Sequence, residues 1–85
     1  MKEENLAIFV GNRLRTRRVA LGLRQQDMES RGINYKYYQR VEAGKVNLTL
    51  RSLEKLASAL DVKVLDLFQR PALKKGTLRK KSKRV

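Results

Sequence analysis

The 85-residue chain is predicted to form one compact domain over residues 1–70, followed by a basic tail over residues 71–85. It has no cysteine and no histidine, which excludes disulfides, thiolate chemistry and the usual zinc ligands and suits a reducing cytoplasm. Its 21 Lys and Arg residues against 8 Asp and Glu give a net charge of +13. Such a charge favours a polyanionic partner, with DNA or RNA ahead of an anionic membrane or an acidic protein. The alternative is a charge that serves only to keep the protein soluble.

The first helix is predicted by apolar residues that recur at helical spacing from Leu6 to Leu21. The same face continues to Arg18, and a guanidinium that points inward needs an anionic partner. A short second helix is predicted from Gln25 to Ser30, with Met28 as its apolar anchor, and it ends near Gly32.

The third predicted helix covers about residues 35–43. Asn34 can cap its first amides, and Tyr38 and Val41 repeat at helical spacing before Gly44 ends the helix. This spacing turns Tyr38 and Val41 toward the core, so that the opposite side of the helix is expected to face solvent.

The fourth and fifth helices complete an all-α, five-helix prediction. Thr49 is a plausible cap for the fourth helix. Its apolar face is formed by Leu53, Leu56, Ala57 and Leu60. The fifth helix is predicted over residues 62–70 with Leu65 and Phe68 inward, and Pro71 separates it from the tail.

Two short helices joined through a glycine and braced by neighbouring helices form a helix-turn-helix arrangement. From Leu14 to Phe68 the chain resembles the Cro and phage-repressor type of this arrangement, the XRE family. The resemblance is carried by Arg18 four residues before Gly22, Leu23, Gln25, Gly32-Ile33, Val41-Glu42-Ala43-Gly44-Lys45, Thr49, Leu53, Leu56, Ala57 and Leu60. It implies a compact five-helix fold, DNA binding and usually a twofold dimer on a palindromic operator.

The chain departs from the family pattern between Met28 and Gly32, where it has one residue fewer than usual. Glu29 stands where the family commonly has a small residue at the contact of the second and third helices. Either the Glu29 side chain points outward or Ser30 takes the close-contact role.

Four side chains on the exposed side of the third helix are candidates for contacts with bases: Tyr35, Lys36, Gln39 and Arg40. Arg40 or Lys36 could donate to guanine, and Gln39 could pair with adenine. Tyr35 could lie against a thymine methyl or reach a phosphate. By resemblance, Tyr35, Lys36 and Arg40 match base-contacting positions of the family, and the alternative is an ordinary solvated face.

Candidates for phosphate contacts flank this helix. Gln25 begins the second helix, where free amides and the helix dipole favour an anion, and the family often uses this glutamine for that purpose. Lys45 and Asn47 follow the third helix, and Arg17 on the first helix is a weaker candidate. The resemblance also implies that Arg18 and Glu42 form a structural pair.

The sequence therefore predicts a regulator, most often a repressor, that binds double-stranded DNA as a homodimer through residues 35–43. Dimer contacts are predicted near Leu65, Phe68 and Leu73. The alternative is a DNA-binding antitoxin or a restriction-modification controller that acts with a protein partner. The tail is expected to be disordered when free. Three roles stay open for it: an arm that wraps DNA or enters the minor groove, a general phosphate-binding extension, or a solvated terminus with no dedicated role.

An enzyme is poorly supported, because histidine, cysteine and a glycine-rich phosphate loop are missing. No cofactor, metal or small-molecule ligand is implied. No apolar run approaches the roughly 20 residues that cross a bilayer, so that a cytoplasmic protein, associated with the nucleoid when bound to DNA, is expected.

Overall fold

The computed structural model describes residues 5–69, which form five helices and no strand. The helices are α1 (Leu6–Ala20), a 3₁₀ helix (Gln25–Arg31), α2 (Tyr35–Glu42), α3 (Leu50–Ala59) and α4 (Val64–Leu67). This confirms the all-α, five-helix prediction. None of these helices is both long enough and apolar enough to span a membrane. The prediction for the tail, residues 71–85, lies outside the described residues.

The core lies where the first four helices meet. Its fully buried side chains are Leu14, Met28, Tyr38, Val41, Leu56 and Leu60. They come from α1, the 3₁₀ helix, α2 and the end of α3, and Leu67 adds α4 at 3% exposure. Because each helix contributes to one apolar cluster, the position of α2 is fixed by contacts with the other helices.

Helix α1 begins at an asparagine cap, where Asn5 Oδ1 accepts from the amides of Ala7 at 2.9 Å and Ile8 at 3.3 Å. Leu6 begins the predicted apolar face, but it is 66% exposed, and it lines a groove together with Phe68. The buried residues of α1 include Gly11, where a Cβ would lie only 2.6 Å from the Val41 carbonyl oxygen. A glycine is therefore what allows α1 to approach the end of α2 so closely.

The segment before α2 is a 3₁₀ helix with Met28 fully buried, as the sequence predicts for its anchor. Gly32 ends this segment with a φ of 86°, a conformation that favours glycine. Asn34 Oδ1 then accepts from the Tyr37 amide at 2.8 Å and caps α2, which confirms the predicted cap. Glu29 points outward, and its Oε2 accepts from the Tyr35 amide at 2.8 Å, so that two side chains bind the first turn of α2.

Helix α3 follows the prediction closely: Thr49 Oγ1 accepts from the Ser52 amide at 3.0 Å, and all four predicted apolar positions are buried.

Helix α4 differs from the prediction in both its length and its inward residues. It covers only Val64–Leu67, and its inward side chain is Leu67, whereas Leu65 is 76% exposed. Phe68 is 43% exposed and stacks on Phe9 with ring centroids 6.0 Å apart. The prediction of Leu65 and Phe68 as inward residues is therefore wrong, because a helix of one turn has no repeating face to set its register.

Three arginines bind the carboxyl ends of α3 and α4 instead of facing solvent freely. Arg17 donates to the carbonyl oxygens of residues 60 and 61, each at 2.8 Å. Arg31 donates to the carbonyl oxygen of residue 59 at 2.7 Å. Arg13 donates to those of residues 67 and 69. Cations at these positions bind the terminal carbonyls and oppose the negative end of the helix dipole.

Candidate nucleic-acid interface

Helix α2 presents two sides with different chemistry. Tyr38 and Val41 are buried at 0% and 2% exposure, and they hold the helix on the core. The opposite side carries the four candidate residues, of which Tyr35 is half-buried and the others are exposed: Tyr35, Lys36, Gln39 and Arg40. The structure thus brings these four side chains together on one face of a single helix.

The four side chains form two neighbouring rows, because residues four apart stack along a helix. Tyr35 and Gln39 make one row, and Gln39 Nε2 donates to the Tyr35 hydroxyl at 3.2 Å. Lys36 and Arg40 make the second row and carry its positive charge. This face therefore combines cations, an amide and a phenol, which are the groups that recognise base edges and phosphates.

A buried ion pair lies beneath this face at the carboxyl end of α2. Arg18 Nε donates to Glu42 Oε2 at 2.7 Å and Nη2 donates to Oε1 at 3.1 Å, while Nη1 donates to the Leu23 carbonyl oxygen at 2.7 Å. The side chains of Arg18 and Glu42 are 10% and 4% exposed. This two-point contact ties α1 to α2 and satisfies the guanidinium that the helical pattern turns inward.

The surroundings of Glu42 keep its carboxylate ionised. Burial raises the pKa of Glu42, but hydrogen bonds from Arg18 and Gln25 and the positive charge of Arg18 outweigh it, and the pKa lies below its ordinary value. Burial raises the pKa of the Tyr38 hydroxyl beside this pair well above its ordinary value. A charged Glu42 therefore faces a neutral phenol and a charged guanidinium at neutral pH.

Gln25 links the ion pair to the exposed face of α2. Its Nε2 donates to Glu42 Oε1 at 2.8 Å, and its Oε1 accepts from Gln39 Nε2 at 3.5 Å. The side chain is half-buried. The predicted phosphate contact of Gln25 stays a prediction, and the structure adds a role within the protein that the sequence did not suggest.

The other phosphate candidates lie in different surroundings. Lys45 and Asn47 are exposed in the connection between α2 and α3, directly after the face described above. Arg17 is bound to the end of α3 through residues 60 and 61. The geometry therefore supports Lys45 and Asn47 as contacts beside α2, whereas it gives Arg17 a structural role and no support as a phosphate contact.

A family model described as helix-turn-helix matches residues 14–67, which contain α2, the 3₁₀ helix before it and the Arg18–Glu42 ion pair. The chain belongs to the XRE-type helix-turn-helix family. In this DNA-binding family of transcription regulators, the 3₁₀ helix and α2 are the two helices of the motif, and α2 is the recognition helix. The described structure thus places Tyr35, Lys36, Gln39 and Arg40 on the recognition helix of a helix-turn-helix regulator.

Among solved structures, the restriction-modification controller protein C.AhdI from Aeromonas hydrophila is similar to this chain. The two are 38% identical, with a TM-score of 0.67, over 73% of this chain and 96% of that chain. A comparison with curated proteins gives no match. The similarity therefore covers nearly all of that chain and about three quarters of this one.

The sequence did not predict the hydrogen bonds that Glu29 and Gln25 make within the site. Glu29 binds the first amide of the recognition helix, and Gln25 contacts both Glu42 and Gln39. The sequence contains a weak signal for Glu29, since it departs from the small residue usual in the family. It contains no signal for the contact of Gln25 with Gln39, because these residues are 14 positions apart on different helices.

Proposed function

We propose that the chain is a sequence-specific transcription regulator that inserts α2 into the major groove of double-stranded DNA. The observation that carries this proposal is the solvent-facing set Tyr35, Lys36, Gln39 and Arg40 on a helix anchored from behind. Lys36 and Arg40 would donate to guanine or to phosphates, and Tyr35 and Gln39 would contact neighbouring base edges. Affinity would come mainly from phosphate contacts and specificity from this face.

Lys45, Asn47 and Gln25 would contact phosphates on either side of the recognition helix. Lys45 and Asn47 are exposed immediately beyond its carboxyl end, and Gln25 lies at the start of the preceding helix. Contacts on both sides would fix the register of α2 in the groove. Loss of Lys45 should weaken binding to all duplexes alike and reduce the salt dependence by about 0.9 in the logarithmic slope.

A homodimer acting in the cytoplasm as a repressor is the form that we propose. Leu65 at 76% and Phe68 at 43% exposure are large apolar side chains on and beside α4, which suits contact with a second copy. Two copies related by a twofold axis would place two α2 helices in successive major grooves about 34 Å apart. The bound DNA would then contain two inverted half-sites.

Selection of bound duplexes from a random pool tests the proposal. The full chain should enrich a palindromic motif, and Lys36→Ala and Arg40→Ala should each relax it at defined bases, with roughly tenfold weaker binding where a bidentate contact is lost. Arg15→Ala is the matched control, because it removes an exposed positive charge from α1. Equal retention of every duplex by the full chain would reduce the function to non-specific binding.

A restriction-modification controller is the second candidate, favoured by the 38% identity to C.AhdI over 73% of this chain. This role requires that the protein bind DNA upstream of genes for an endonuclease or a methyltransferase. Binding assays with DNA from the neighbourhood of its own gene, together with a reporter driven by that DNA, distinguish the two candidates. Occupancy only at unrelated promoters would favour a free-standing regulator.

A further inference from the structure

A chain of hydrogen bonds runs from the buried carboxylate of Glu42 to the exposed face of the recognition helix. Glu42 Oε1 accepts from Gln25 Nε2 at 2.8 Å, and Gln25 Oε1 accepts from Gln39 Nε2 at 3.5 Å. Gln39 Nε2 also donates to the Tyr35 hydroxyl at 3.2 Å. The chain has a direction, because each amide has its donor at one end and its acceptor at the other.

The charge of Glu42 sets that direction. An ionised carboxylate only accepts hydrogen bonds, so that Gln25 must turn its NH₂ group toward Glu42 and its carbonyl oxygen toward Gln39. The carbonyl oxygen of Gln25 also only accepts hydrogen bonds, so that Gln39 must turn its NH₂ group toward Gln25. Arg18 donates to both oxygens of the Glu42 carboxylate, which keeps it in place.

This arrangement determines what Gln39 can offer to DNA. An amide NH₂ group has two hydrogens, and Gln39 Nε2 has two acceptors within the protein, Gln25 Oε1 at 3.5 Å and the Tyr35 hydroxyl at 3.2 Å. The group that remains for an outside partner is the Gln39 carbonyl oxygen, which is an acceptor. A glutamine free to turn makes a two-point contact with adenine, in which it accepts from the N6 amino group and donates to N7. With its NH₂ group engaged, Gln39 can make only the accepting half of that contact.

We propose that Gln39 reads the exocyclic amino group of adenine or cytosine in the major groove without contact to purine N7, and that Gln25 is the positioning residue that imposes this restriction. These are the base groups that donate in the major groove, adenine through N6 and cytosine through N4. Guanine and thymine present acceptors there, which the Gln39 oxygen would repel. The inference rests on the proposed DNA-binding function and specifies what one position of that site recognises.

Base analogues in the selected operator test the inference with the unaltered full chain. The position read by Gln39 is first identified as the base at which Gln39→Ala relaxes the selected motif. If it is adenine, purine lacks the amino group but keeps N7, whereas 7-deaza-adenine keeps the amino group but lacks N7. We expect purine to weaken binding about three- to tenfold, as for one lost hydrogen bond, and 7-deaza-adenine to leave binding unchanged. If it is cytosine, 2-pyrimidinone, which lacks the amino group, should have the same effect as purine.

Variants separate the positioning role from a merely structural one. In Gln39→Ala, neither analogue should change binding further. In Gln25→Ala the Gln39 amide is free to turn. If the position is adenine, binding by this variant should therefore become sensitive to 7-deaza-adenine. A general loss of stability would not produce that sensitivity. Gln25→Met is a second variant that keeps the side-chain length and should give the same result.

The outcomes are distinct. Sensitivity of the unaltered protein to both adenine analogues would show a two-point contact and overturn the inference while leaving the proposed function intact. If the base at which Gln39→Ala relaxes the motif is guanine or thymine, or if Gln39→Ala relaxes no position, the inference is overturned and the proposed function stays intact. Failure of the full chain to select any motif would overturn the proposed function together with it.

Discussion

Replacing Glu42 by glutamine keeps the shape of the side chain but removes the charge to which Arg18 is bound. In the folded protein, the Arg18 guanidinium donates to both Glu42 oxygens and to the Leu23 carbonyl oxygen. The Arg18 side chain is only 10% exposed, so that water cannot take the place of the lost anion without rearrangement. We therefore expect Glu42→Gln to lower the free energy of unfolding substantially.

The magnitude follows from burial. Removal of one partner from a buried pair costs about 3–5 kcal/mol, because the remaining charge stays desolvated. Glu42→Gln belongs at the lower end, since a glutamine oxygen can still accept one hydrogen bond. Arg18→Met belongs at the upper end, since it leaves the 4% exposed Glu42 carboxylate with Gln25 as its remaining donor. A domain of this size has about 4–13 kcal/mol of stability in total, so that either variant approaches unfolding.

Urea unfolding followed by circular dichroism at neutral pH measures these differences. The double variant Arg18→Met with Glu42→Leu is the control, because it removes both charges and should recover most of the stability lost in the single variants. DNA binding of each single variant should fall in parallel with its folded fraction. A loss below about 1 kcal/mol in both single variants would show that the pair behaves like an exposed one and would refute the reasoning.

Three further predictions concern packing, acid and salt. Gly11→Ala should destabilise the protein by about 1–3 kcal/mol in thermal unfolding, because the new Cβ would lie 2.6 Å from a backbone oxygen. This loss outweighs the better helix propensity of alanine. Asn12→Ala, at the neighbouring exposed position, is the control and should not destabilise the protein. Since the pKa of Glu42 is lowered in the folded state, its contribution to stability is complete above its ordinary value of 4.5 and is lost as the pH falls through the folded-state value. Urea unfolding at decreasing pH should show this loss in the unaltered chain and less of it in the double variant described above. Residues 71–85 carry seven positive charges. Their deletion should make the slope of log DNA affinity against log salt concentration shallower by about 0.9 per lost phosphate contact, while the sequence preference is kept. An unchanged slope would show that the tail makes no DNA contact.

The parts of the fold that the sequence predicts are those set by local chemistry. Asn34 and Thr49 cap the helices that follow them because their side chains reach amides three residues ahead. The inward position of Arg18 follows from helical spacing alone, and so do the buried positions of Tyr38 and Val41. Each of these depends on neighbours within about one helical turn, which is information that a single sequence contains.

The parts that escape prediction depend on contacts between distant residues. The register of α4 is set by the packing of Leu67 on the core, which a pattern that favours Leu65 cannot reveal. Arg17 is an exposed cation by its spacing, yet it binds the end of α3 more than 40 positions later in the chain. The network through Gln25 and Gln39 joins two helices in the same way. Such roles become visible only when the helices are placed relative to one another.

Adjacent arginines in α1 bind different helices, and this restricts how the protein can vary. Arg17 binds the end of α3, and Arg18 binds the end of α2. Because an α-helix has 3.6 residues per turn, one residue added or removed between Leu14 and Arg17 would rotate both arginine side chains by about 100° relative to Leu14. Such a change would misalign either these two arginines or the core contacts of Leu14, so that changes in chain length should be tolerated only in the connections between helices.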